Sequence, residues 1–541
     1  MRSPAAPFRN LFRVHIRALT YPSCRSFSWL DSPRNVDSIR ATARQVEFLA
    51  TAAAGYHRAV ESRPNIVMFM PDQLRADCVG CFGNPVVQTP NIDALAARGT
   101  LFRNAFSQHS VCSPSRASIF TGWYPHVMGH RTLTHLLKPW EPNLLKLLKD
   151  SGYHVGWVGQ RGDTFAPGVT KASTDFFGFG VQPTAGGSNP YPPEHKFART
   201  FYHGKRDAPE SGVVLDFDEA TVQTAEAWLA EGPPEPWLLF VALIFPHPPF
   251  AVEEPWFSLH ARSEVPLPVS GDPADKAAFT REIREQYGTD RLDEGDWREI
   301  VATYYGMVAR VDSQLGRVSS AVEACGAADR TVSVFMTDHG EYLGDYGLIE
   351  KFPSGQDDCL LRNPLIISTP AGVEGAASDA LVEMVDLLPT LLELADVEAR
   401  HTHFGRSLVP LLEDASRAHR DAAFAEGGFT ASESHLLERG PFPYDLKSGI
   451  QHQAPVFAGK VVSMRTREWT YVHRLYERNE LYDRANDPRE LRNRSGEPEL
   501  AELERGLHER VLNFLLETGD VIPWEPDPRF TSHRREDEAG A

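Results

Sequence analysis

The pentapeptide Cys112-Ser113-Pro114-Ser115-Arg116 combines residue types and a spacing that could form a reactive centre. Ser113 and Pro114 are typical of a helix start, because proline is tolerated in the first turn. Cys112 would then face the positive end of the helix dipole, a position that also favours a bound anion. Arg116 lies one turn further on and can hold an anionic group by charge-assisted hydrogen bonds. The pentapeptide therefore indicates a nucleophile, or the precursor of one, beside an anion-binding helix end.

Other interpretations of Cys112 have to be weighed against this one. A buried structural thiol is the commonest fate of a lone cysteine. A cysteine protease needs a histidine and an asparagine or aspartate whose positions the sequence alone does not give. A cysteine phosphatase loop needs more than the three residues that separate Cys112 from Arg116 here. The pentapeptide by itself leaves the structural thiol open.

Polar residues follow three apolar segments that we expect to be buried strands. Those residues and the segments before them are Asp72 and Gln73 after Asn65–Met70, His247 after Trp237–Phe245, and Asp338 and His339 after Thr331–Met336. In open α/β sheets, ligands bind outside the carboxyl ends of the strands. Three strands that each release such residues predict a ligand site at that edge.

Alternating strands and helices predict the fold class. Further strands are expected at Val155–Val158 and Pro364–Ser368, and the helices are Asn91–Arg98, Glu141–Asp150, Asp218–Ala230, Ile300–Ala324 and Met384–Ala395. This alternation predicts an α/β fold with a large, mostly parallel sheet sandwiched by helices. The later segments Val461–Met464, Trp469–His473 and Leu500–Leu516 predict a smaller C-terminal α+β subdomain. We place the domains at residues 1–62, 63–415 and 416–541.

The body of the chain resembles the type I sulfatases of the alkaline-phosphatase-like superfamily. The matching segments, in order, are Pro71-Asp72-Gln73, Thr89–Asp93, the stretch from Cys112 to Gly122 with its C-x-P-S-R signature, Pro246–Phe250, Thr337–Glu341, Lys351 and Glu480–Asp483. The pairs Asp-Gln and Asp-His are similar to those of the branch that includes phosphonate monoester hydrolases. The resemblance implies sulfate ester hydrolysis by a formylglycine nucleophile that a formylglycine-generating enzyme makes from Cys112. In the mechanism that the resemblance implies, one hydroxyl of the hydrated formylglycine attacks sulfur and the alcohol departs. The other hydroxyl then loses a proton and expels sulfate, which regenerates the aldehyde.

The resemblance also implies one divalent metal ion held by Asp72, Gln73, Asp338 and His339. A cation beside the nucleophile would neutralise the negative charge of a sulfate ester. This mostly oxygen donor set suits Ca²⁺, Mg²⁺ or Mn²⁺. Family precedent favours Ca²⁺, although the imidazole also fits Mn²⁺. The alternative is that these four residues cap helices or form salt bridges.

Three further residues are candidates for the reaction. His247 and Lys351 resemble the residues that contact the sulfate and the leaving oxygen in the family. Histidine has a pKa suited to general acid catalysis, whereas Lys351 is expected to supply charge. His135 lies downstream of the nucleophile helix, where a related branch places a polar active-site residue.

One segment departs from the family pattern. The second sulfatase signature has a lysine where this chain has Gln160, and no histidine follows it. Arg161 or Asp163 are the candidate substitutes. The base for sulfate release is therefore not identified, and the altered signature also fits a phosphonate or phosphate diester hydrolase. A non-catalytic binding protein is a third interpretation.

Composition limits the partners that we expect. A net charge of −18 over 541 residues argues against nucleic acids and anionic membranes. No apolar run is long enough for a transmembrane helix. Six sparsely spaced cysteines suggest no disulfide framework. We expect a sulfated small molecule or carbohydrate as substrate, and an oligomer is compatible with the sequence.

The first 62 residues differ from the rest. Residues 1–30 are rich in arginine and contain no acidic residue, which resembles a transit peptide or a disordered basic arm. Residues 36–60 carry apolar side chains at helical spacing. No apolar core of a secretory signal is visible, so we expect a cytoplasmic location.

Overall fold

The structure is a computed structural model that describes residues 63–159, 162–184 and 187–522. The basic extension and helix expected within residues 1–62, as well as Gln160 and Arg161, lie outside the described residues. The described residues belong to one compact unit of the chain. The domain boundaries at 62/63 and 415/416 stay predictions.

The described residues form fourteen β-strands in three sheets. The strands are β1 Asn65–Asp72, β2 Thr100–Phe106, β3 His154–Val158, β4 Phe176–Gly178, β5 Tyr202–Lys205, β6 Trp237–Pro246, β7 Phe250–Val252, β8 Thr331–Met336, β9 Arg362–Ser368, β10 Ala376–Glu383, β11 Ala423–Gly427, β12 Val461–Arg465, β13 Trp469–Arg474 and β14 Glu480–Asp483.

Helices cover this framework along the described chain. The α-helices are α1 Pro90–Ala97, α2 Cys112–Thr121, α3 Pro125–Met128, α4 Leu144–Asp150, α5 Val169–Ser173, α6 Phe217–Ala230, α7 Phe279–Tyr287, α8 Glu294–Ala324, α9 Asp358–Leu361, α10 Leu387–Leu394, α11 Val409–Glu413, α12 Asp445–Gln453 and α13 Ala501–Glu517. In the part of the chain that the structure describes, none of them is long and apolar enough to cross a membrane.

The central sheet has eight strands in the order β10-β2-β9-β8-β1-β6-β3-β4. All neighbours pair in parallel except β9, which runs antiparallel to both β2 and β8. The predicted α/β class with a mostly parallel sheet is confirmed. The five predicted strands are all present, and β8, β1 and β6 lie side by side at its centre.

Strand β1 shows why these segments are continuous apolar runs. All eight of its residues are buried. Val67 and Phe69 pack into the apolar core on one face of the sheet, while Ile66 and Met68 pack into the core on the other face. A strand covered by helices on both faces needs apolar residues at every position, because successive side chains point to opposite faces.

The antiparallel direction of β9 follows from the segment before it. After β8 the chain stays at the carboxyl edge of the sheet and forms a connection, residues 337–361, that carries Asp338, His339 and Lys351. The chain therefore enters β9 from the same edge at which it left β8. The sequence shows β9 as apolar but does not show its direction.

The C-terminal part contains a second sheet, antiparallel and ordered β11-β12-β13-β14. Helix α13 packs on β12 and β13 through an apolar cluster that includes Met464, Tyr471 and Phe514. The amide of Glu426 in β11 donates to the carbonyl of Gln108 at 2.9 Å. This smaller α+β part therefore contacts the segment that leads to Cys112.

Candidate active site

The carboxyl ends of β8, β1 and β6 bring the predicted polar residues to one edge of the sheet. Asp72 is the last residue of β1, Asp338 and His339 follow β8, and His247 follows β6. Asp72, Asp338 and His339 are fully buried, whereas His247 is only partly buried. The expectation that three buried strands release ligand-capable side chains at one edge agrees with this geometry, and the structure adds that the three strands are neighbours in the sheet.

Helix α2 begins at Cys112, as the pentapeptide predicts, and all ten of its residues are buried. Pro114 lies in its first turn, and no acidic residue offsets the positive end of the helix there. The Ser115 hydroxyl donates to the carbonyl of Asp338 at 2.6 Å, which attaches the start of α2 to the end of β8. Cys112 is thereby fixed at a helix N-terminus inside the molecule.

Arg116 ties the nucleophile helix to three carboxylates. Its guanidinium donates to Asp338 Oδ2 and to Asp72 Oδ2, each at 2.8 Å, and to Asp163 Oδ1 at 3.1 Å. Burial works against the charge of Arg116, but these three carboxylates hold the pKa of Arg116 well above its usual value. One cation among three carboxylates leaves this part of the site negative, which suits an added cation.

Four side chains form what we call the metal-side cluster: Asp72, Cys112, Asp338 and His339. Their potential ligand atoms all lie within 4.8 Å of one another. His339 Nε2 is 3.3 Å from Cys112 Sγ, and Cys112 Sγ is 3.9 Å from Asp72 Oδ1. The cluster has the donors of a divalent cation site, because carboxylates and a neutral imidazole suit Ca²⁺, Mg²⁺ and Mn²⁺.

The orientation and charge state of His339 fit this role. Its Nδ1–H donates to the carbonyl of Gly340 at 2.9 Å, so the lone pair of the neutral ring lies on Nε2, on the side of Cys112. Burial lowers the pKa of His339, although the nearby Asp338 opposes the shift. A neutral ring is the form that binds a metal.

Gln73 adjoins the metal-side cluster, since its backbone N–H donates to Asp338 Oδ1 at 3.2 Å. Its side-chain amide donates to Glu341 and accepts from Lys351 Nζ. Its backbone φ is +66°, and the Tyr304 hydroxyl holds this conformation by donating to the Gln73 carbonyl at 2.7 Å. Gln73 therefore links the metal-side cluster to Lys351, and its role as a metal ligand stays a prediction.

Beside the metal-side cluster lies what we call the cation-side cluster, formed by His247, Glu350, Lys351 and Lys447. Lys351 Nζ is 2.8 Å from one carboxylate oxygen of Glu350, and Lys447 Nζ is 3.0 Å from the other. Burial alone would raise the pKa of Glu350, but Lys351, Lys447 and His247 lower it to about 2. Glu350 thus holds two buried ammonium groups in place.

Lys351 connects the two clusters electrostatically. Burial opposes its charge, but Cys112 and Glu350 hold the pKa of Lys351 well above its usual value. Behind it, burial and the charge of Glu350 raise the pKa of Glu341 to about 7. Lys351 therefore carries a permanent positive charge close to the nucleophile position. This agrees with the expectation from the sequence that Lys351 supplies charge.

His247 and His135 have contrasting environments. The Nδ1–H of His247 donates to the carbonyl of Pro248 at 2.7 Å, and its charge acts on Glu350. His135 is an exposed residue, and its ring Nδ1 lies 2.6 Å from the Thr132 hydroxyl in the same loop. The structure thus brings His247 to the cation-side cluster but leaves His135 in the exposed loop after α3.

The segment with the altered second signature contributes Asp163, which contacts Arg116. The sequence indicated Asp163 only as one of two residues that could substitute for the lysine of the second signature. Sequence reasoning missed Glu350 and Lys447, and it had Glu341 only as the last residue of the matching segment Thr337–Glu341. Glu350 could have been suspected from its position beside Lys351, since a buried lysine needs a partner. Lys447 lies in α12 of the C-terminal part, and no sequence signal connects it to the site.

Comparison with known proteins agrees with this geometry. A family model described as Sulfatase matches residues 64–397. The multifunctional alkaline phosphatase superfamily protein PehA of Trinickia caryophylli is 28% identical over 512 residues, which cover 85% of this chain and 96% of that protein. The phosphonate monoester hydrolase of Agrobacterium radiobacter superposes with a TM-score of 0.65 at 25% identity, covering 84% of this chain and 96% of that one.

A third neighbour is BT4656, solved in complex with its substrate D-glucosamine-2-N,6-O-disulfate. It superposes with a TM-score of 0.66 at 21% identity and covers 86% of this chain and all of the other. These neighbours share the alkaline-phosphatase-like fold that the sequence predicts.

Proposed function

The chain belongs to the sulfatase family of sulfuric ester hydrolases, and from that premise we propose that its nucleophile derives from Cys112. The observation that carries the proposal is the position of Cys112 at the N-terminus of α2. Its Sγ lies 3.3 Å from His339 Nε2 and 3.9 Å from Asp72 Oδ1. An atom at this position adjoins both the potential metal ligands and the positive end of a helix.

The sulfur of Cys112 stands for the oxygen of formylglycine, the group to which sulfatases convert this cysteine. In its hydrated form that group supplies an oxygen nucleophile. Arg116 orients the two carboxylates on either side of it through its bonds to Asp72 and Asp338. Lys351 supplies positive charge where a sulfate group carries negative charge, and the dry surroundings strengthen that attraction.

We assign the divalent metal site to Asp72, Asp338, His339 and the modified residue 112. Ca²⁺ is the metal we propose, with Mn²⁺ and Mg²⁺ as the alternatives that the same donors accept. When bound, such an ion polarises a sulfuryl oxygen. The remaining predicted ligand, Gln73, accepts from Lys351 Nζ through its amide oxygen, whose second lone pair is available to the ion.

His247 is the proposed general acid for the leaving alcohol. Its Nδ1–H is held by the Pro248 carbonyl, so a second proton on Nε2 is the one it can transfer. An imidazole is the side-chain type suited to proton transfer in the neutral pH range, whereas Lys351 keeps its charge. This division of roles gives Lys351 the binding of sulfate and His247 the transfer of the proton.

The proposed substrate is a sulfated carbohydrate. The support is the neighbour BT4656, which was solved with a disulfated glucosamine. The modification of Cys112 requires a formylglycine-generating enzyme as a partner.

A phosphonate or phosphate diester hydrolase is the second candidate. The observation that favours it is the likeness to the phosphonate monoester hydrolase of Agrobacterium radiobacter, together with the Asp-Gln and Asp-His pairs. Transfer to phosphorus needs the same cation and the same nucleophile. Turnover of an aryl sulfate, an aryl phosphonate monoester and a phosphate diester, compared on one preparation, separates the two candidates.

Mass spectrometry of the peptide that contains residue 112 tests the proposal. After co-expression with a formylglycine-generating enzyme, we expect the formylglycine mass and turnover of an aryl sulfate. Cys112→Ala should show neither, while its unfolding stays close to that of the wild type. An unconverted thiol in a preparation that hydrolyses aryl sulfate would overturn the assignment of the nucleophile.

A further inference from the structure

His109 is a buried histidine that the reaction described above does not use. It lies in the segment between β2 and α2, three residues before Cys112, and its side chain is fully buried. Its Nε2 has no hydrogen-bond partner among the described residues. A buried polar atom without a partner costs free energy, so its retention beside a nucleophile calls for a ligand or a water molecule.

The other ring nitrogen determines which form of His109 is present. The backbone N–H of Val111 donates to His109 Nδ1 at 3.0 Å, so Nδ1 is an acceptor without a proton. The single proton of the neutral ring therefore lies on Nε2. The unpartnered atom is a hydrogen-bond donor, and the partner that it lacks is an acceptor.

The surroundings of His109 indicate what kind of acceptor this is. The charged groups that act on its ring are His339 of the metal-side cluster, Lys447 of the cation-side cluster, and Arg131. Burial first, and then these groups, lower the pKa of His109 to about 3, which keeps the ring neutral at physiological pH. A donor among groups that carry or can carry positive charge favours an anionic acceptor.

The three groups come from separate parts of the chain. His339 follows β8, Lys447 lies in α12, and Arg131 follows α3. Two of them are already attached to acidic residues, since Lys447 contacts Glu350 and Arg131 contacts Glu433. His109 Nε2 is thus the donor in this group that protein atoms among the described residues do not satisfy.

We propose that His109 donates a hydrogen bond from Nε2 to a sulfate oxygen of the bound substrate. This assignment rests on the proposed function and adds a substrate-binding residue to it. Because the ring stays neutral, His109 would bind the sulfate group and would not transfer a proton.

Two substitutions of His109 test the roles of its two ring nitrogens separately. His109→Asn places an amide oxygen near the position of Nδ1, which keeps an acceptor for Val111 but removes the donor at Nε2. His109→Gln places an amide nitrogen near the position of Nε2, which keeps the donor but removes the Nδ1 acceptor. The pair therefore compares loss of sulfate binding with loss of the local anchor.

The measurements are KM and kcat for an aryl sulfate and the affinity of the converted enzyme for inorganic sulfate by calorimetry. We expect His109→Asn to weaken sulfate binding and raise KM by about 10- to 100-fold, the effect of one hydrogen bond to a charged group. Its melting temperature and the shape of its pH profile should match the wild type. His109→Gln should bind sulfate nearly as well as the wild type but melt at a lower temperature.

The opposite pattern would overturn the inference. If His109→Asn binds sulfate like the wild type, then Nε2 is satisfied by water and His109 serves only to hold Val111. The proposed function is tested separately by the wild type, whose turnover of aryl sulfate does not depend on either variant. Calorimetry with inorganic sulfate needs no turnover, so failure of the activity and failure of the His109 assignment are distinguishable.

Discussion

The metal-side and cation-side clusters lie next to each other but differ in charge and in origin. The metal-side cluster is rich in carboxylates and comes from strand ends and the start of α2. The cation-side cluster holds two lysines around one glutamate, and one of those lysines comes from α12 in the C-terminal part. A sulfate ester between them would meet a cation site on one side and ammonium groups on the other.

This difference shows that residues adjacent in sequence can reveal one part of an active site but not another. On the metal side, ligands such as Asp338 and His339 are neighbours in sequence and follow a buried strand. On the cation side, Glu350 and Lys447 are 97 residues apart and meet only through the fold. Pairs at strand ends are therefore visible in one sequence, whereas partners from distant parts of the chain are not.

The largest expected effect is that of Arg116→Met. The substitution leaves Asp72 and Asp338 buried without their shared cation. In metal-free protein we expect the free energy of unfolding to fall by about 3–5 kcal/mol, and activity should be lost. Urea denaturation measures the stability change.

Arg103→Met is the matched control for Arg116→Met. Arg103 is half exposed and pairs with the exposed Asp379 at 3.0 Å. Its loss should change the unfolding free energy by less than about 1 kcal/mol. Equal destabilisation by the two substitutions would contradict the view that Arg116 is the central tie of the metal-side cluster.

Asp338→Asn and Lys351→Met should separate the functions of the two clusters. Asp338 offers a metal-ligand atom, so Asp338→Asn should lose bound metal. Lys351 contacts Glu350 and Gln73 instead, so Lys351→Met should keep the metal while kcat/KM for an aryl sulfate falls by about 10²–10³-fold. Elemental analysis and steady-state kinetics measure both. Loss of metal from both variants would mean that the clusters act as one unit.

Lys447→Met tests the cation-side cluster through its pH dependence. The pKa of Glu350 is lowered to about 2, so its stabilising effect is present above its ordinary pKa near 4.5 and is lost as pH falls through about 2. Without Lys447 the pKa of Glu350 should rise, and stability should be lost at a higher pH. At neutral pH we expect a loss of about 2 kcal/mol, since Lys351 still pairs with Glu350.

Urea denaturation at a series of pH values measures this shift. Lys146→Met is the control, because Lys146 pairs with Asp150 on the exposed face of α4. It should change the unfolding free energy by less than about 1 kcal/mol at any pH. A Lys447→Met profile that runs parallel to the wild type down to acidic pH would contradict the role given to Glu350.

Much of the fold was predictable because burial on both faces leaves a simple signal. Strands β1, β6 and β8 are apolar at nearly every position and were found within two residues of their ends. Strands β2 and β10 were missed, since Arg103 and Asp379 interrupt their apolar pattern with exposed side chains. β2 pairs with both β10 and β9, and β10 pairs with β2, so these strands are defined by their neighbours in the sheet rather than by a continuous apolar pattern.

The site was predictable where a residue type has one chemical role. Cys112 and Arg116 lie where their spacing predicts, at the start of a helix and one turn along it. The role of Gln73 as a metal ligand stays a prediction, but its positive φ and the contacts of its amide with Glu341 and Lys351 were not foreseen. Backbone conformation at a single residue is not visible in the sequence.

The smallest expected effect is that of His135→Ala, and it tests the exposed loop after α3. His135 is solvent-exposed and its ring contacts Thr132 of the same loop, so its removal should leave kcat/KM within about two-fold and unfolding within about 0.5 kcal/mol. His247→Ala is the matched comparison, because His247 lies in the cation-side cluster and should cost about 10²-fold or more. Equal losses of kcat/KM in the two variants would mean that the loop after α3 moves onto the bound substrate. The active site would then consist of this loop as well as the metal-side and cation-side clusters.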